Sequence, residues 1–135
     1  MKKIKFTVFG QPTAKGRPKF GNGHAYTPEK TVNYEQLVKV SYLQTERVKF
    51  MDGEQLRIEI KAYSSIPKSV SKMAREGMML EVIRPTKKPD FDNICKGIAD
   101  ALNDLAYKDD SQIVSGVIDK YYSGEPRVEV LIYEV

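Results

Sequence analysis

Carboxylates gather around Lys96 in a pattern that suits metal-assisted phosphate chemistry. Asp90 and Asp92 precede it in Lys88-Pro89-Asp90-Phe91-Asp92-Asn93-Ile94-Cys95-Lys96, Asp100 follows one helical turn later, and Asp109-Asp110 closes the segment. Alone, such a cluster repels a phosphate. Carboxylates that hold Mg²⁺ reverse that sign and create a positive centre on which a phosphate oxygen can sit, while the ion lowers the pKa of a bound water. Asp90 and Asp92 stand where a helix begins, so backbone N–H groups and the helix dipole assist there. Lys96, one turn past Asp92, can reach a phosphate oxygen or orient an attacking water. Asp109 or Asp110 can bring a further carboxylate from the far end of the helix, and the spacing leaves open which of the two does so.

Each feature also has a plain structural reading. An Asp ahead of a helix is commonly an N-cap, Lys96 with Asp92 or Asp100 is an ordinary i, i+4 pair, and Asp109-Asp110-Ser111 is a common turn composition. Metal-dependent phosphate chemistry explains them jointly. A calcium loop of the EF-hand type starting at Asp90 is excluded, because Ile94 and Cys95 stand where an oxygen ligand and a glycine are needed. One cysteine rules out an internal disulfide, and with one histidine, His24, leaves no soft-ligand set for structural zinc. The metal is therefore one held by oxygen: of Mg²⁺, Mn²⁺ and Ca²⁺, the abundant Mg²⁺ comes first, with Mn²⁺ as its substitute.

The chain of 135 residues has 22 Lys and Arg against 18 Asp and Glu, a net charge of +4. Distribution carries more than the sum. Basic residues cluster at Lys2, Lys3 and Lys5, at Lys15, Arg17 and Lys19, at Lys68, Lys72 and Arg75, and at Arg84, Lys87 and Lys88, as in a phosphate-binding surface around an acidic centre. Lys15, Arg17, Lys19, Lys87 and Lys88 are the candidate residues for contacting a phosphate backbone. The length suits a single domain over residues 1–135. No apolar run approaches the roughly 20 residues that cross a bilayer, and the N-terminal segment alternates like a strand rather than running apolar like a secretory signal, so a soluble, cytoplasmic protein is expected.

The elements that must position these groups follow from periodicity. Residues 4 to 9 read as a strand with Ile4, Phe6 and Val8 on one face. Gly10 to Pro28 reads as a long, functional loop in which Phe20 and Tyr26 pin the chain to the core, the alternative being that one of them stacks on an unpaired ring of a bound ligand. Thr27-Pro28-Glu29 opens a helix to about Arg47, with Tyr34, Leu37, Val38, Ser41, Thr45 and Val48 as its buried stripe. Leu56 to Tyr63 alternates as a strand with one wet face, and a short helix capped by Ser69 or Ser71 lies between Pro67 and Met79. Leu80 to Ile83 reads as a further strand. Ile94, Ile98, Ala101, Leu102 and Leu105 then share one face of a helix, with Asp92, Lys96, Asp100 and Asn103 opposite. Ile113 to Tyr121 and Arg127 to Tyr133 read as a hairpin across Ser123-Gly124-Glu125-Pro126. The order predicts an α+β domain with helices packed on a mixed β-sheet.

The motif Lys88 to Lys96, with Asp100-Ala101-Leu102-Asn103 and Tyr107-Lys108-Asp109-Asp110-Ser111-Gln112-Ile113, closely resembles the RusA family of Holliday junction resolvases. Gly10-Gln11-Pro12-Thr13-Ala14-Lys15-Gly16-Arg17-Pro18-Lys19 and Tyr26-Thr27-Pro28 are similar to that family's pattern too, so the resemblance spans nearly the whole chain. It implies a RusA-like fold and a Mg²⁺-dependent endonuclease, a homodimer that cuts four-way DNA junctions by paired incisions and is frequent in phages and prophages. It further implies that Asp90, Asp92 and Asp110 are catalytic metal-binding carboxylates, with Lys96 as catalytic lysine and Asp109, Asn93 and Asp100 as neighbours or supports. A general nuclease for branched DNA and a non-catalytic junction-binding module are the alternatives. Mg²⁺-dependent cleavage excludes the second, and comparative rates on junction, flap and duplex discriminate the first.

Overall fold

A computed structural model of the chain describes residues 2–14, 19–26 and 29–135. Alternation builds the sheet. In β1 (Lys3–Phe9), β4 (Leu56–Ser65) and β6 (Arg127–Glu134), every second side chain is buried: Ile4, Phe6 and Val8; Leu56, Ile58, Ile60 and Ala62; Val128, Val130 and Ile132. With β5 (Ile113–Ser123) they form a four-stranded sheet in the order β1-β6-β4-β5. β6 runs antiparallel to both of its neighbours, and β4 and β5 run parallel, so the sheet is mixed. A separate small hairpin, β2 (Lys19–Gly21) and β3 (His24–Tyr26), lies within the stretch expected to be an irregular loop.

The expected hairpin of the last two strands is not formed. β5 and β6 are adjacent in sequence, but β4 lies between them and pairs Tyr63 with Tyr121 on one side and with Arg127 on the other. Sequence proximity favours a hairpin, whereas the apolar alternation of β4, buried along Leu56 to Ala62, is satisfied by a central position.

Among the described residues three α-helices complete the fold: α1 (Glu29–Leu43), α2 (Lys72–Met79) and α3 (Phe91–Ala101). Tyr34, Val38, Ser41 and Tyr42 of α1 are buried, but Leu37 is 40% exposed, so Tyr42 replaces Leu37 in the expected stripe. α1 ends before Arg47 because Thr45 turns back, donating both its N–H and its hydroxyl to the carbonyl of Tyr42 at 3.0 and 2.6 Å. The cap of α2 is Ser71, whose hydroxyl accepts the N–H of Ala74 at 3.1 Å. Leu80 to Ile83 is not a strand. The chain passes through a left-handed residue, Glu81, and the N–H groups of Val82 and Ile83 return to the carbonyl of Gly77. A Cβ on Gly77 would stand 2.7 Å from Ile83 Cδ1, so a larger residue there requires the end of the Ile83 side chain to shift.

α1 packs against α3 and against β1, and α3 against β5. Ile94, Ile98, Ala101 and Leu102 enter the core with Tyr107 and Phe50, as the 3.6-residue period requires. The helix is shorter than expected: it ends at Ala101, and Asn103 lies beyond it in an isolated bridge with Tyr107.

Candidate active site

The approach to α3 is fixed from the sheet. Arg84 lies over the ring of Tyr121, 4.3 Å from its centroid, while its Nη2 pairs with Asp119 at 2.7 Å and its Nε donates to the carbonyl of Lys120 at 2.8 Å. Lys120 Nζ in turn donates to the carbonyl of Lys87 at 2.7 Å. Arg84, grouped by sequence with the phosphate-binding cations, is thus a strut that holds the segment leading through Lys87, Lys88 and a cis Lys88–Pro89 bond into Asp90.

Asp90 occupies the N-cap position of α3, and its carbonyl accepts the N–H of Ile94 at 3.1 Å. Its carboxylate makes no capping hydrogen bond, so the plain reading of the helix start as a side-chain cap does not hold here. Asp90 lines a cavity with Lys88, Pro89, Asn93 and the residues Pro12, Thr13 and Ala14 that follow β1. Asp92 and Lys96 line the neighbouring cleft, about 710 Å³, between α3 and β5.

Asp110 reaches that same cleft from the other side. The adjacent aspartates are separated by hydrogen bonding. Asp109 caps a single 3-10 turn, Asp110–Gln112, with its Oδ2 accepting the N–H of Ser111 at 3.0 Å, and those bonds to Ser111 hold its carboxyl below the usual range. Gln112 closes the reciprocal cap by accepting the N–H groups of Lys108 and Asp109 at 3.1 and 3.2 Å, and its Nε2 anchors the turn to the carbonyls of Met51 and Glu54. Asp110 is left to face Asp100. A hydrogen bond with Asp100, partial burial, and the charges of Asp100 and Asp109 push its carboxyl up to about 6.

Beneath this pair Tyr107 is fully buried and donates to the carbonyl of Ala99 at 2.6 Å, which locks the return from α3 under the cleft. Burial, with the charges of Asp110 and Asp100 adding, pushes its phenol up, so it remains a hydrogen-bond donor. Cys95, half-buried on the cleft wall, is also pushed up by burial and by Asp100 and Asp110, which keeps it a thiol rather than a thiolate ligand.

The structure therefore brings Asp92, Lys96 and Asp110 to one cleft with Asp100 against Asp110, and sets Asp90 and Asn93 on the adjoining cavity. Among the described residues, no three Asp, Glu, His or Cys side chains form a group that could hold a metal ion. Lys87 and Lys88 are exposed beside Asp90. Lys15 and Arg17 lie outside the described residues, as do the side chains of Lys19 and Tyr26 and the expected helix opening at Thr27-Pro28. Phe20 is 82% exposed, so it does not pin the loop to the core. Sequence reasoning missed the β5 wall of the cleft, where Ile113, Val114, Gly116, Val117 and Ile118 lie, because it paired β5 with the wrong strand.

An α+β fold with a carboxylate-and-lysine cleft at the sheet edge belongs to a known class. A sequence model of the family Endodeoxyribonuclease RusA matches residues 10–133. The chain belongs to that family. It is also 45% identical over 138 residues, covering 98% of this chain and 96% of the relative, to the Uncharacterized protein YqaN of Bacillus subtilis (strain 168).

Proposed function

We propose that the protein is a Mg²⁺-dependent endonuclease that cuts four-way DNA junctions as a homodimer. Membership of the endodeoxyribonuclease family supports the nuclease activity. The observation that carries the metal dependence is the placement of Asp92, Lys96 and Asp110 around one cleft, with Asp100 crowding Asp110. Two carboxyls pressed together beside a cysteine held as thiol offer hard oxygen donors, and a divalent cation relieves their repulsion. Asp92 and Asp110 would hold the ion, with Asp90 two residues away, and Mn²⁺ would substitute. A bound ion supplies charge neutralisation at the phosphoryl oxygen and an acidified water.

Lys96 stands on the cleft wall as a point charge for the reacting phosphate, where it acts on the negative charge that develops in the transition state. Asp100 positions Asp110. Lys15, Arg17, Lys19, Lys87 and Lys88 would contact the backbone of the junction arms. Among the described residues no helix is long and apolar enough to cross a membrane. A four-way junction presents equivalent scissile phosphates on opposite strands, which a two-fold dimer meets with matching sites.

Asp92→Asn keeps the shape of the side chain but weakens its hold on a cation. It should abolish Mg²⁺-dependent cutting of a synthetic four-way junction while junction affinity in Ca²⁺ stays equal or tightens, because a repelling charge is gone. Near-parental cutting by Asp92→Asn would refute the assignment. Equal parental rates on junction, flap and duplex would instead favour the general nuclease.

A further inference from the structure

Phe91, the first residue of α3, lies between Asp90 and Asp92 in sequence and is 62% exposed, whereas Ile94 and Ile98 on the same helix are buried at 1% and 0%. It lines the cleft with Asp92, Lys96 and Asp110. Across from it stands Val114, 58% exposed, on β5, and the exposed Gly116, two residues further along, leaves the strand surface flat. An apolar slot thus opens directly beside the groups expected to work on a phosphate.

We propose that this slot receives a nucleobase adjoining the cleaved phosphate, stacked on Phe91. The inference rests on the nuclease reading above and adds a positioning residue to it. Charge selects the occupant. A second copy of the chain laid over the slot by an apolar surface would bury Asp92, Lys96 and Asp110 together, and buried charges without matched partners are unfavourable. A nucleotide fits both halves of the cleft: its flat ring matches the aromatic and Val114, and its phosphate meets Lys96 and the cation-binding carboxylates. Any base offers a π-face, so stacking fixes the depth and angle of the strand without requiring one sequence. Since Phe91 is covalently next to Asp92, a base held on that ring keeps its own phosphate at the carboxylates.

The test uses the full chain and a synthetic four-way junction whose cut position has been mapped with the parent protein in Mg²⁺. 2-Aminopurine is placed on either side of the cut phosphate and its emission is followed on binding in Ca²⁺, beside the oligomeric state by sedimentation. The parent and Phe91→Tyr should change the emission, and Phe91→Ala should lose that change, bind about tenfold more weakly and spread its cuts over neighbouring phosphates. Phe91 is exposed, so the alanine variant should melt like the parent. Unchanged emission in Phe91→Ala would overturn the stacking role and leave the nuclease reading intact. Dissociation of a parental dimer by Phe91→Ala would also overturn it and assign the slot to a second copy. A parent that cuts no junction removes both readings.

Discussion

At the residue scale, the informative contrast is between two adjacent aspartates of opposite acidity. Asp109 is acidified by hydrogen bonds from the side chain and then the backbone N–H of Ser111, and Asp110 is made less acidic by Asp100. The folded Asp110 keeps its proton up to about 6, whereas the unfolded chain releases it near the ordinary 3.8. Between those values the folded state binds more protons, so the protein loses stability as pH rises through that window and does not regain it above. Asp100→Asn removes the crowding charge and should raise the melting temperature by a few degrees at pH 8 in EDTA. The gain should vanish near pH 4, where Asp110 is protonated anyway. Identical melting of parent and variant at pH 8 would show that the pair is not coupled. The sequence displayed the carboxylates but could not rank Asp109 against Asp110, because their difference lies in hydrogen bonds to Ser111, Gln112 and Asp100 rather than in residue type.

At the element scale, local periodicity was a good guide and long-range pairing was not. The spacing of Ile94, Ile98, Ala101 and Leu102 revealed both the buried face of α3 and the opposite face that carries Asp92 and Lys96. The alternation of β4 likewise showed its buried side. What local pattern cannot show is the neighbour of a strand. β5 reads equally well as half of a hairpin, and its partner depends on β4 finding the central place. The parallel contact of β4 and β5 depends on Gly116, where a Cβ would lie 2.9 Å from Ile58 Cγ2 and 3.1 Å from the Ile58 carbonyl oxygen. Gly116→Ala should push β5 outward and destabilise by about 1–3 kcal/mol. Because β5 walls the cleft, junction cleavage should fall as well, measured below the lowered melting temperature. Unaltered melting and cleavage would mean that the strand yields without moving the site.

At the scale of the whole molecule, the α+β class and the mixed sheet were legible from element order, while the topology was hidden. Strand order along the chain and across the sheet disagree most at β6, last of the sheet strands in sequence yet flanked by β1 and β4, pairing Tyr133 with Lys3 and Arg57. The connection works like a keystone set after the rest of the arch. Among the described residues β1 has no sheet partner other than β6, so nearly the whole chain must be searched before those first ladder bonds form. Contacts so distant in sequence slow folding relative to helical proteins built from local contacts. In pulsed hydrogen exchange during refolding, amides of β1 should gain protection together with those of β6 and never ahead of them. A chain whose β6 has not yet docked would leave both β1 and one side of β4 as open edges, where another copy's strand can add. The central placing of the last strand thus makes the partly folded protein, with its additional open edges, more prone than the finished one to strand exchange between molecules.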